Sequence, residues 1–551
     1  MASSRLARWV RETTLDIQRA ILPLWQVSRL GIALLAQYIF GLATKNNDYP
    51  KQLRHTLERL GLTYLKLGQY LAMRRDLLPE EVCQELSRLY ESVSALTFPE
   101  VKAVLEIELQ RPLAQNFSFF DPKPVAAASV AQVHEARTHS NERVAVKIQR
   151  PGLGPIFAAD IRNLRRIASL SDRLSLLGTL SMREVVEEFA KWTSRELDFL
   201  IEGHTADRLR QNASPHEVVP FVYWELTTSK VLTMEFIDGL SLAQVISLEN
   251  QGREDEVLAR LPNLVLIETG HNMAHAALHQ LFVCGFFHGD PHPGNVIILD
   301  HNNVAFVDFG IFGELTEYQR EILAGYIEFV AVGNLNEALR YFLKLTTPTE
   351  ETDLRAFEKE ALGCIRRWYE ASKSPTSTFK DRHMGKYFGE LLGIVRRHHM
   401  RIGVDTLLFW RALSALDYSA LSMSRHFDLL HELRVFFEQI RPSPAERLIN
   451  MITDRKLIMD VAELSPVISN YLNNIMNRLL KEDSSWATIV QESWESTSSD
   501  LLATRYVSAA MVGVSLIILG LSSKIDLTFL VIILSLAIFL LTFSIVKASP
   551  K

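Results

Sequence analysis

Cysteine is scarce in this chain of 551 residues. Only three cysteines occur, Cys83, Cys284 and Cys364, and they lie far apart without a Cys-x-x-Cys pair. Such a set supports neither a disulfide framework nor a zinc site, because both need several cysteines at close spacing. The composition therefore predicts a protein body that faces a reducing compartment.

An excess of positive charge is also absent. The chain has 59 lysines and arginines against 64 aspartates and glutamates, which gives a formal net charge of −5. Proteins that bind nucleic acid usually carry a basic surface that neutralises phosphates, so we expect no nucleic-acid partner. The first thirty residues also lack the charged, apolar and small-residue regions that follow one another in a signal peptide.

Apolar residues make up 48% of the chain, and two long runs of them lie near its end. Residues 506–521 and 527–546 contain no charged side chain and are separated by a short polar break. About 20 such residues cross the ~30 Å core of a bilayer. A buried hairpin of a soluble core is the alternative, but it would show a polar face. With Arg505, Lys547 and Lys551 at the flanks, the pattern predicts a two-span anchor with both ends in the cytoplasm.

The periodicity of the apolar residues predicts an α+β fold with a small β-rich lobe before a larger helical lobe. Residues 55–73 show helical spacing, whereas 129–136 and 144–149 are β-rich runs joined by a polar turn, which predicts a hairpin. The predicted segments are a helical, membrane-proximal N-terminal segment (1–54), a helical extension (55–115), a β-rich lobe with inserted helices (116–239), a helical lobe (240–430), a further helical region (431–504) and the transmembrane hairpin (505–551).

The strongest chemical signal lies between residues 286 and 313. Asp290 is followed by Asn295, and Asp308-Phe309-Gly310 comes directly after a predicted apolar strand. Phosphoryl transfer needs a carboxylate near the attacking group and oxygen ligands that hold Mg²⁺ against the phosphates. We therefore predict that Asp290 is the base or water-orienting group and that Asn295 and Asp308 bind Mg²⁺. Surface turns would account for one Asp-Gly pair, but not for the whole ordered set.

A lysine upstream fits the same chemistry. Lys147 stands at the end of the predicted strand 144–149, where a kinase places the lysine that contacts the α- and β-phosphates. Such a lysine needs an acidic partner on a following helix, and Glu196, Asp198 and Glu202 are the candidates. A lysine on a strand is ordinarily a solvated edge charge, so the prediction depends on its place before Asp290.

The adenine and phosphate contacts are predicted at two further segments. Glu235 is the second-last residue of the strand-like run 231–236, which leads into an inter-lobe hinge whose backbone can hold adenine. A Gly-x-Gly-x-x-Gly loop is missing before the hairpin. The segment in its place is Ala126, Ala127, Ala128 and Ser129. Alanine permits a less close approach of backbone to phosphate than glycine does, which argues against ordinary protein kinase activity.

Taken together, these residues resemble the UbiB family of atypical kinases, which takes part in ubiquinone biosynthesis. The matching elements are Lys66-Leu67-Gly68-Gln69 (the KxGQ motif), Ala126 to Ser129 (the alanine-rich loop), Lys147, Glu196-Leu197-Asp198 (the ExD motif), His288 to Asn295, and Asp308-Phe309-Gly310. The resemblance covers roughly residues 55–425. Residues 90–95 and 203–206 depart from the family pattern at positions that concern helix packing more than phosphate ligands.

The resemblance implies a protein-kinase-like bilobal fold that binds ATP or ADP with Mg²⁺. It assigns Glu202 as the partner of Lys147. It also implies that Lys66, Gln69, Glu196 and Asp198 form a lid that keeps protein substrates out of the site. The implied partners are membrane lipid or quinone precursors and other quinone-biosynthesis proteins, at the inner membrane.

Two rival functions remain open from the sequence. A small-molecule phosphotransferase of the aminoglycoside-kinase type also uses a His-Gly-Asp…Asn loop, but the alanine-rich loop, the KxGQ motif and the apolar tail argue against it. A nucleotide-binding pseudokinase scaffold that organises membrane enzymes is the other rival. His271, His275 and His279 share a helical face, and we interpret them as packing residues of the helix before the catalytic loop, because no acidic ligand lies in register with them.

Overall fold

The computed structural model describes residues 19, 49–90, 95–173, 181–374, 376–424 and 427–440. The predicted transmembrane hairpin (505–551) and helical region beyond residue 440 lie outside these ranges, as does most of the predicted N-terminal segment. Within the described ranges, no helix combines the length and apolar character needed to cross a bilayer.

The helical extension consists of α1 (Tyr49–Leu60), α2 (Leu62–Met73) and α3 (Glu80–Leu86). The helical spacing over residues 55–73 is confirmed, and Gly61 divides the stretch into α1 and α2. This residue adopts φ +94°, a conformation that glycine reaches without steric cost and that ends a helix. Helices α1 to α3 bury Leu57, Tyr64 and Leu86 against one another, so the extension has a small apolar core of its own.

The N-terminal lobe follows the extension. Its elements are α4 (Phe98–Leu109), α5 (Leu113–Asn116), β1 (Phe119–Ala127), β2 (Ala131–Arg137), β3 (Arg143–Gln149), α6 (Leu153–Arg173), α7 (Met182–Glu196), α8 (Phe199–Gln211), β4 (Glu217–Val218) and β5 (Val231–Glu235). The predicted hairpin is confirmed as β2 and β3. Strand β4 ends at Val218, since Pro220 two residues later has no N–H with which to continue a ladder.

An antiparallel sheet in the order β1-β2-β3-β5 forms this lobe. Alternate residues of a strand face opposite sides. Val144, Val146 and Ile148 of β3 are therefore all buried on one side, where they pack against Val101 of α4. Lys147 lies between Val146 and Ile148 in sequence and consequently projects from the other side of the sheet. The strand period alone thus directs this lysine away from the apolar core of the sheet.

The C-terminal lobe is mostly helical. Its elements are β6 (Leu240–Ser241), α9 (Leu242–Asn250), α10 (Glu254–Arg260), α11 (Leu266–Leu278), a π-helical turn (His279–Cys284), β7 (Phe286–His288), β8 (Val296–Ile298), β9 (Val304–Phe306), β10 (Phe312–Glu314), α12 (Glu317–Val332), α13 (Leu335–Lys344), β11 (Thr346–Thr347), α14 (Leu354–Lys373), α15 (Phe379–Arg382), α16 (Met384–Arg397), β12 (Arg401–Ile402), α17 (Val404–Met423) and α18 (Leu429–Ile440).

Two short β-structures position the catalytic loop in this lobe. Strands β8 and β9 form a hairpin inside a sheet of order β4-β9-β8-β6, and β7 pairs with β10. Helix α17 runs through the core and buries Phe409 and Trp410 almost completely. The loop from His288 to Asn295 therefore begins and ends on paired strands that rest on a helical core. The structure has the kinase-like mixture of sheet and helix that the sequence predicts.

Candidate active site

Lys147 joins the two lobes through two carboxylates. Its Nζ lies 2.6 Å from Oε1 of Glu202 on α8 and 2.9 Å from Oδ1 of Asp308 after β9. The Glu202 side chain is only 2% exposed, whereas that of Asp308 is 52% exposed. Of the three acidic candidates for the partner of Lys147, the structure selects Glu202, and it adds Asp308.

Charge and burial shift the pKa of all three groups. Burial disfavours the ammonium of Lys147, but the carboxylates of Asp308 and Glu202 outweigh it and raise the pKa of this lysine. Burial raises the pKa of Glu202 to about 7, because Lys147 opposes burial only in part and Asp308 adds to it. Asp308 is also penalised by desolvation, yet the charge of Lys147 lowers its pKa well below the ordinary range. Asp308 therefore remains a carboxylate at neutral pH.

The catalytic loop is shaped by a buried histidine and a glycine. His288 is 3% exposed, and burial lowers its pKa. The neutral ring donates from Nε2 to the carbonyl of Val307 (3.1 Å) and accepts at Nδ1 from the N–H of Asp290 (3.0 Å). A Cβ on Gly289 would meet Ile311 at 2.8 Å, so only glycine fits between the two segments. His288 thus orients the catalytic loop.

Asn295 and Asp308 have the chemistry of a magnesium site. The Asn295 amide donates from Nδ2 to the carbonyl of Asp290 (3.2 Å), which leaves its Oδ1 as an oxygen ligand. The N–H of Val307 donates to the carbonyl of Asn295 (2.9 Å), so the residue before Asp308 is held beside Asn295. Mg²⁺ is typically bound by one or two protein oxygens, with phosphates and waters completing its shell. The residues therefore fit the ion.

Histidines and acidic residues do not offer a second metal site in the described part of the chain, where no three His, Cys, Asp or Glu side chains cluster suitably. His271 lies 2.9 Å from Glu432 on α18, and His275 packs edge-on against Phe436 of the same helix. His279 contacts the thiol of Cys284. The acidic neighbour of His271 belongs to a helix far along the chain. Helical spacing within α11 cannot predict this contact, because spacing relates only residues of the same helix.

Arg411 is a site residue that the sequence analysis missed. Its Nη2 lies 2.7 Å from Oδ2 of Asp290, and both side chains are mostly buried, at 18% and 14% exposure. The same guanidinium contacts the sulfur of Met73 at the end of α2. Arg411 stands in the middle of the apolar helix α17, and an arginine on a buried helix is the one signal that could have marked it.

The four predicted lid residues occupy different positions. Lys66 on α2 lies 3.0 Å from Glu196 at the end of α7, and its charge also lowers the pKa of Asp308. Gln69 instead donates to the carbonyl of Leu89 within the extension (3.1 Å). Asp198 accepts from the N–H of Leu200 and so caps α8. Of these four residues, Lys66 and Glu196 are the ones that form a side-chain link between the extension and the lobe.

The predicted nucleotide contacts lie at the edges of the N-terminal sheet. Ala126 and Ala127 belong to the end of β1 instead of to a loop, and Ala128 donates to the carbonyl of Ala131 (2.8 Å) in the tight turn that includes Ser129. Glu235 is exposed at the end of β5, just before the hinge. Its N–H donates to the carbonyl of Phe221 (2.8 Å), so that donor is already occupied.

Comparisons with known proteins agree with this geometry. The model of the ABC1 atypical kinase-like domain matches residues 88–342, a span that includes Lys147, Asp290 and Asp308. A Pseudomonas fluorescens protein named probable protein kinase UbiB is 30% identical over 438 residues, which covers 78% of this chain and 78% of that protein.

Two further relatives extend beyond the part of their sequence that matches this chain. The chloroplastic protein ACTIVITY OF BC1 COMPLEX KINASE 7 of Arabidopsis thaliana is 34% identical over 57% of this chain and 46% of its own length. An uncharacterised protein of Synechocystis is 31% identical over 72% of this chain and 66% of its own length. The chain thus spans about half to two thirds of these two relatives. Since the UbiB relative is matched over most of its length, the chain belongs to the UbiB (ABC1) family of atypical kinases.

Proposed function

We propose that the protein is an ATP-binding, Mg²⁺-dependent atypical kinase or ATPase that supports ubiquinone or another quinone-lipid synthesis at a membrane. The observation that carries the proposal is the position of Lys147 between Glu202 and Asp308, at 2.6 and 2.9 Å. This arrangement joins a phosphate-binding cation to a metal-binding carboxylate across the cleft between the lobes.

Each residue of the site has a proposed role. Lys147 contacts the α- and β-phosphates of ATP or ADP, and Glu202 orients it. Asn295 and Asp308 hold Mg²⁺, which neutralises charge on the phosphates when it is bound. Asp290, whose carboxylate Arg411 holds, is the candidate base or water-orienting group. The hinge after Glu235 and the turn from Ala126 to Ser129 enclose the adenine and the phosphates.

The second substrate is proposed to be lipid-like and not a protein. The resemblance to the UbiB family supports a role in quinone synthesis, and the ion pair between Lys66 and Glu196 supports a lid that restricts access. The apolar runs at 506–521 and 527–546 support an anchor in the inner membrane, with the kinase-like body in the cytoplasm. Membrane lipids, quinone precursors and other quinone-biosynthesis proteins are the proposed partners.

A pseudokinase scaffold is the second candidate. One observation favours it, because the carboxylate of Asp290 is engaged by Arg411 and that of Asp308 by Lys147. Both groups would have to exchange partners before catalysis. A scaffold that only binds nucleotide needs no such exchange at Asp290.

ATP hydrolysis by the purified full-length protein in liposomes tests the enzyme proposal. Asp308→Asn should remove Mg²⁺-dependent nucleotide binding and lower turnover on the order of a hundredfold or more, because the metal ligand loses its charge. Asp381→Asn is a matched control, since Asp381 pairs with Lys386 on the surface of the C-terminal lobe. Full turnover in Asp308→Asn would rule out the metal assignment. Binding of Mg²⁺–ATP without any turnover in the wild type would favour the scaffold.

Deletion of the gene tests the pathway. Quinone content and quinone precursors would be quantified in the deletion strain and in strains complemented with wild-type protein or with Asp308→Asn. We expect quinone to fall and precursors to accumulate in the deletion strain, with rescue by the wild type only. An unchanged quinone pool would contradict a role in quinone synthesis while leaving the ATPase assignment intact.

A further inference from the structure

A cavity of about 560 Å³ lies between the extension and the C-terminal lobe. Residues of α2, α7, α16 and α17 form its walls, and His292 and Pro293 of the catalytic loop complete it. Its volume falls in the range of ordinary small-molecule sites, which enclose roughly 300–1,000 Å³. The space is therefore large enough for a ligand of about the size of a cofactor and much larger than a water site.

The walls of the cavity are mainly apolar. The side chains responsible are Met73, Trp192, Phe388, Leu392, Leu407 and Leu408. A cavity with such walls gains free energy when it encloses apolar surface, at about 25 cal/mol per Å². A wholly polar ligand such as a sugar or free phosphate would leave these walls without apolar contacts.

Two cations on α7 lie at the rim of the cavity. Lys191 and Arg195 are one helical turn apart, both are exposed, and both belong to the lining. In the described ranges neither forms an ion pair, although Arg195 lies 5.4 Å from the ring of Phe312. The charge of Lys191 contributes to the lowered pKa of Glu187, one turn earlier on the same helix. The rim thus offers two cations to an anionic group.

The remaining charges of the lining are mostly engaged within the protein. Arg74 is bound by Asp76 and Glu188, Arg75 lies 3.4 Å from Glu80, and Arg411 is bound to Asp290. Glu188 and Asp405 are the acidic residues of the lining, and Glu188 is the one that binds Arg74. Asp405 is exposed and forms no ion pair among the described residues, so Lys191 and Arg195 stand against Asp405 and the charge left over for a ligand is net positive.

Two polar atoms of lining residues also lack partners. The indole Nε1 of Trp192 and the hydroxyl of Ser414 are buried without a hydrogen bond among the described residues. Leaving a buried donor unsatisfied is unfavourable, because the group has lost its hydrogen bonds to water. A ligand with an oxygen atom near these residues would recover part of that cost after small side-chain movements.

We propose that this cavity binds a small amphiphile with an apolar body and one anionic group, the latter recognised by Lys191 and Arg195. The ligand would lie beside Arg411, whose guanidinium contacts both Asp290 and Met73. Binding therefore acts next to the candidate catalytic carboxylate. That the bound amphiphile is the second substrate rests on the proposed function, whereas the binding itself does not.

Binding of decanoate to the full-length protein in nonionic detergent tests the proposal. Decanol has the same tail without the charge, decyltrimethylammonium has the opposite charge, and acetate lacks the tail. Calorimetric titration should rank decanoate first, with acetate showing no binding. Partitioning into detergent is the same for every protein variant, so a comparison between variants reports the site itself.

Three variants locate the binding. Lys191→Glu combined with Arg195→Glu should weaken decanoate at least tenfold and leave decanol within twofold. Ala415→Phe, which fills the cavity, should weaken both ligands. Arg183→Glu is the matched control, because Arg183 is exposed on the same helix and does not line the cavity; it should change neither. A decanoate carrying a photoreactive diazirine should label cavity residues such as Met73 or Leu408.

Several outcomes would overturn the proposal. Equal binding of decanoate and decyltrimethylammonium would contradict recognition of an anion. Equal weakening by Arg183→Glu would assign the effect to general surface charge. Labelling only outside the cavity would show that decanoate binds elsewhere. Loss of labelling in the presence of a peptide, or through a segment of this chain, would assign the cavity to that occupant. Mg²⁺–ATP affinity is measured in parallel, so failure of decanoate with intact nucleotide binding leaves the proposed function standing.

Discussion

At the scale of single residues, the charge state of Glu202 decides how Lys147 is shared. Above a pH of about 7 Glu202 is ionised and competes with Asp308 for the lysine. Below that pH Glu202 becomes neutral, and the ammonium is left to Asp308, whose pKa is lowered. Release of Asp308 for a metal ion is therefore favoured when Glu202 is charged.

Glu202→Gln should remove one pH-dependent contribution to stability. Because burial raises the pKa of Glu202 from 4.5 to about 7, its neutral form stabilises the folded state. This contribution is fully present below pH 4.5 and is lost as the pH rises through 7. The free energy of unfolding of the wild type should fall relative to that of Glu202→Gln over this window, by at most about 1.4 kcal/mol per pH unit.

Urea unfolding of both proteins at several pH values between 5 and 8 measures this difference. His288 is a second buried titratable group, and its lowered pKa acts on stability in the opposite direction. The comparison cancels its effect, because both proteins retain this histidine. Parallel stability curves for the two proteins would contradict the raised pKa of Glu202.

Arg411→Met should lower turnover without weakening nucleotide binding. The guanidinium fixes the carboxylate of Asp290 at 2.7 Å, and loss of one partner leaves a mostly buried carboxylate free to change rotamer. We expect kcat for ATP hydrolysis to fall about 10- to 100-fold, with the dissociation constant of Mg²⁺–ATP changed less than twofold. Arg411→Lys should restore part of the rate.

Arg367→Met is the control for Arg411→Met. Arg367 forms an exposed ion pair with Glu390, so its loss removes an arginine from the same lobe without affecting the site. An equal loss of kcat in both variants, or a matching loss of nucleotide affinity, would show that Arg411 has a general structural role and does not position Asp290.

At the scale of elements, helix α2 contacts α7 through apolar and polar side chains, since Tyr70 packs with Val185 and Phe189. Lys66 of α2 binds Glu196, and the hydroxyl of Tyr70 of α2 donates to Glu188 (2.7 Å). Both of these glutamates belong to α7. Lys66 also lies 5.6 Å from the ring of Trp192. The extension has its own apolar core, so these links can break without unfolding it.

A double-mutant cycle on Lys66→Met and Glu196→Gln should show energetic coupling between α2 and α7. The pair is mostly buried, at 12% and 11% exposure, and residues in direct contact usually couple by about 0.5–3 kcal/mol. Hydrogen exchange of the α2 amides measures the opening free energy in each variant. Each single change should increase exchange, and the double variant should exchange less than additivity predicts.

Gln69→Ala with Glu196→Gln is the control cycle. Gln69 bonds Leu89 inside the extension and does not contact Glu196, so the two changes should be additive. Additivity in both cycles would mean that the ion pair does not hold α2 in place. Coupling in the control cycle would indicate that the effect spreads through the whole extension.

At the scale of the whole molecule, the kinase-like body and the apolar tail have separate tasks in the proposed function. Removal of residues 505–551 should transfer the protein from the membrane fraction to the soluble fraction, because ~20-residue apolar runs of the tail supply the anchoring free energy. Fractionation before and after an alkaline carbonate wash measures this. Extraction of the full-length protein by carbonate would contradict a spanning anchor.

The sequence by itself determined the chemistry of the site and its order along the chain. Asp290, Asn295 and Asp308 each stand next to a strand end, and period-2 alternation in β3 already directs Lys147 away from the apolar side. Such local patterns can be predicted from the sequence, because strand and turn geometry depend on residues that are near neighbours in the chain. The family resemblance followed from the same short motifs.

Only the tertiary structure decided which distant groups meet. Lys147 and Asp308 are 161 residues apart, and Lys66 and Glu196 are 130 apart, so no periodicity links them. Arg411 reaches Asp290 from a helix otherwise buried in the core, Gln69 stays within the extension, and Asp198 caps a helix. These outcomes depend on how the extension, the sheet and α17 pack together, because packing brings side chains from separate elements within the few ångströms over which ion pairs and hydrogen bonds act.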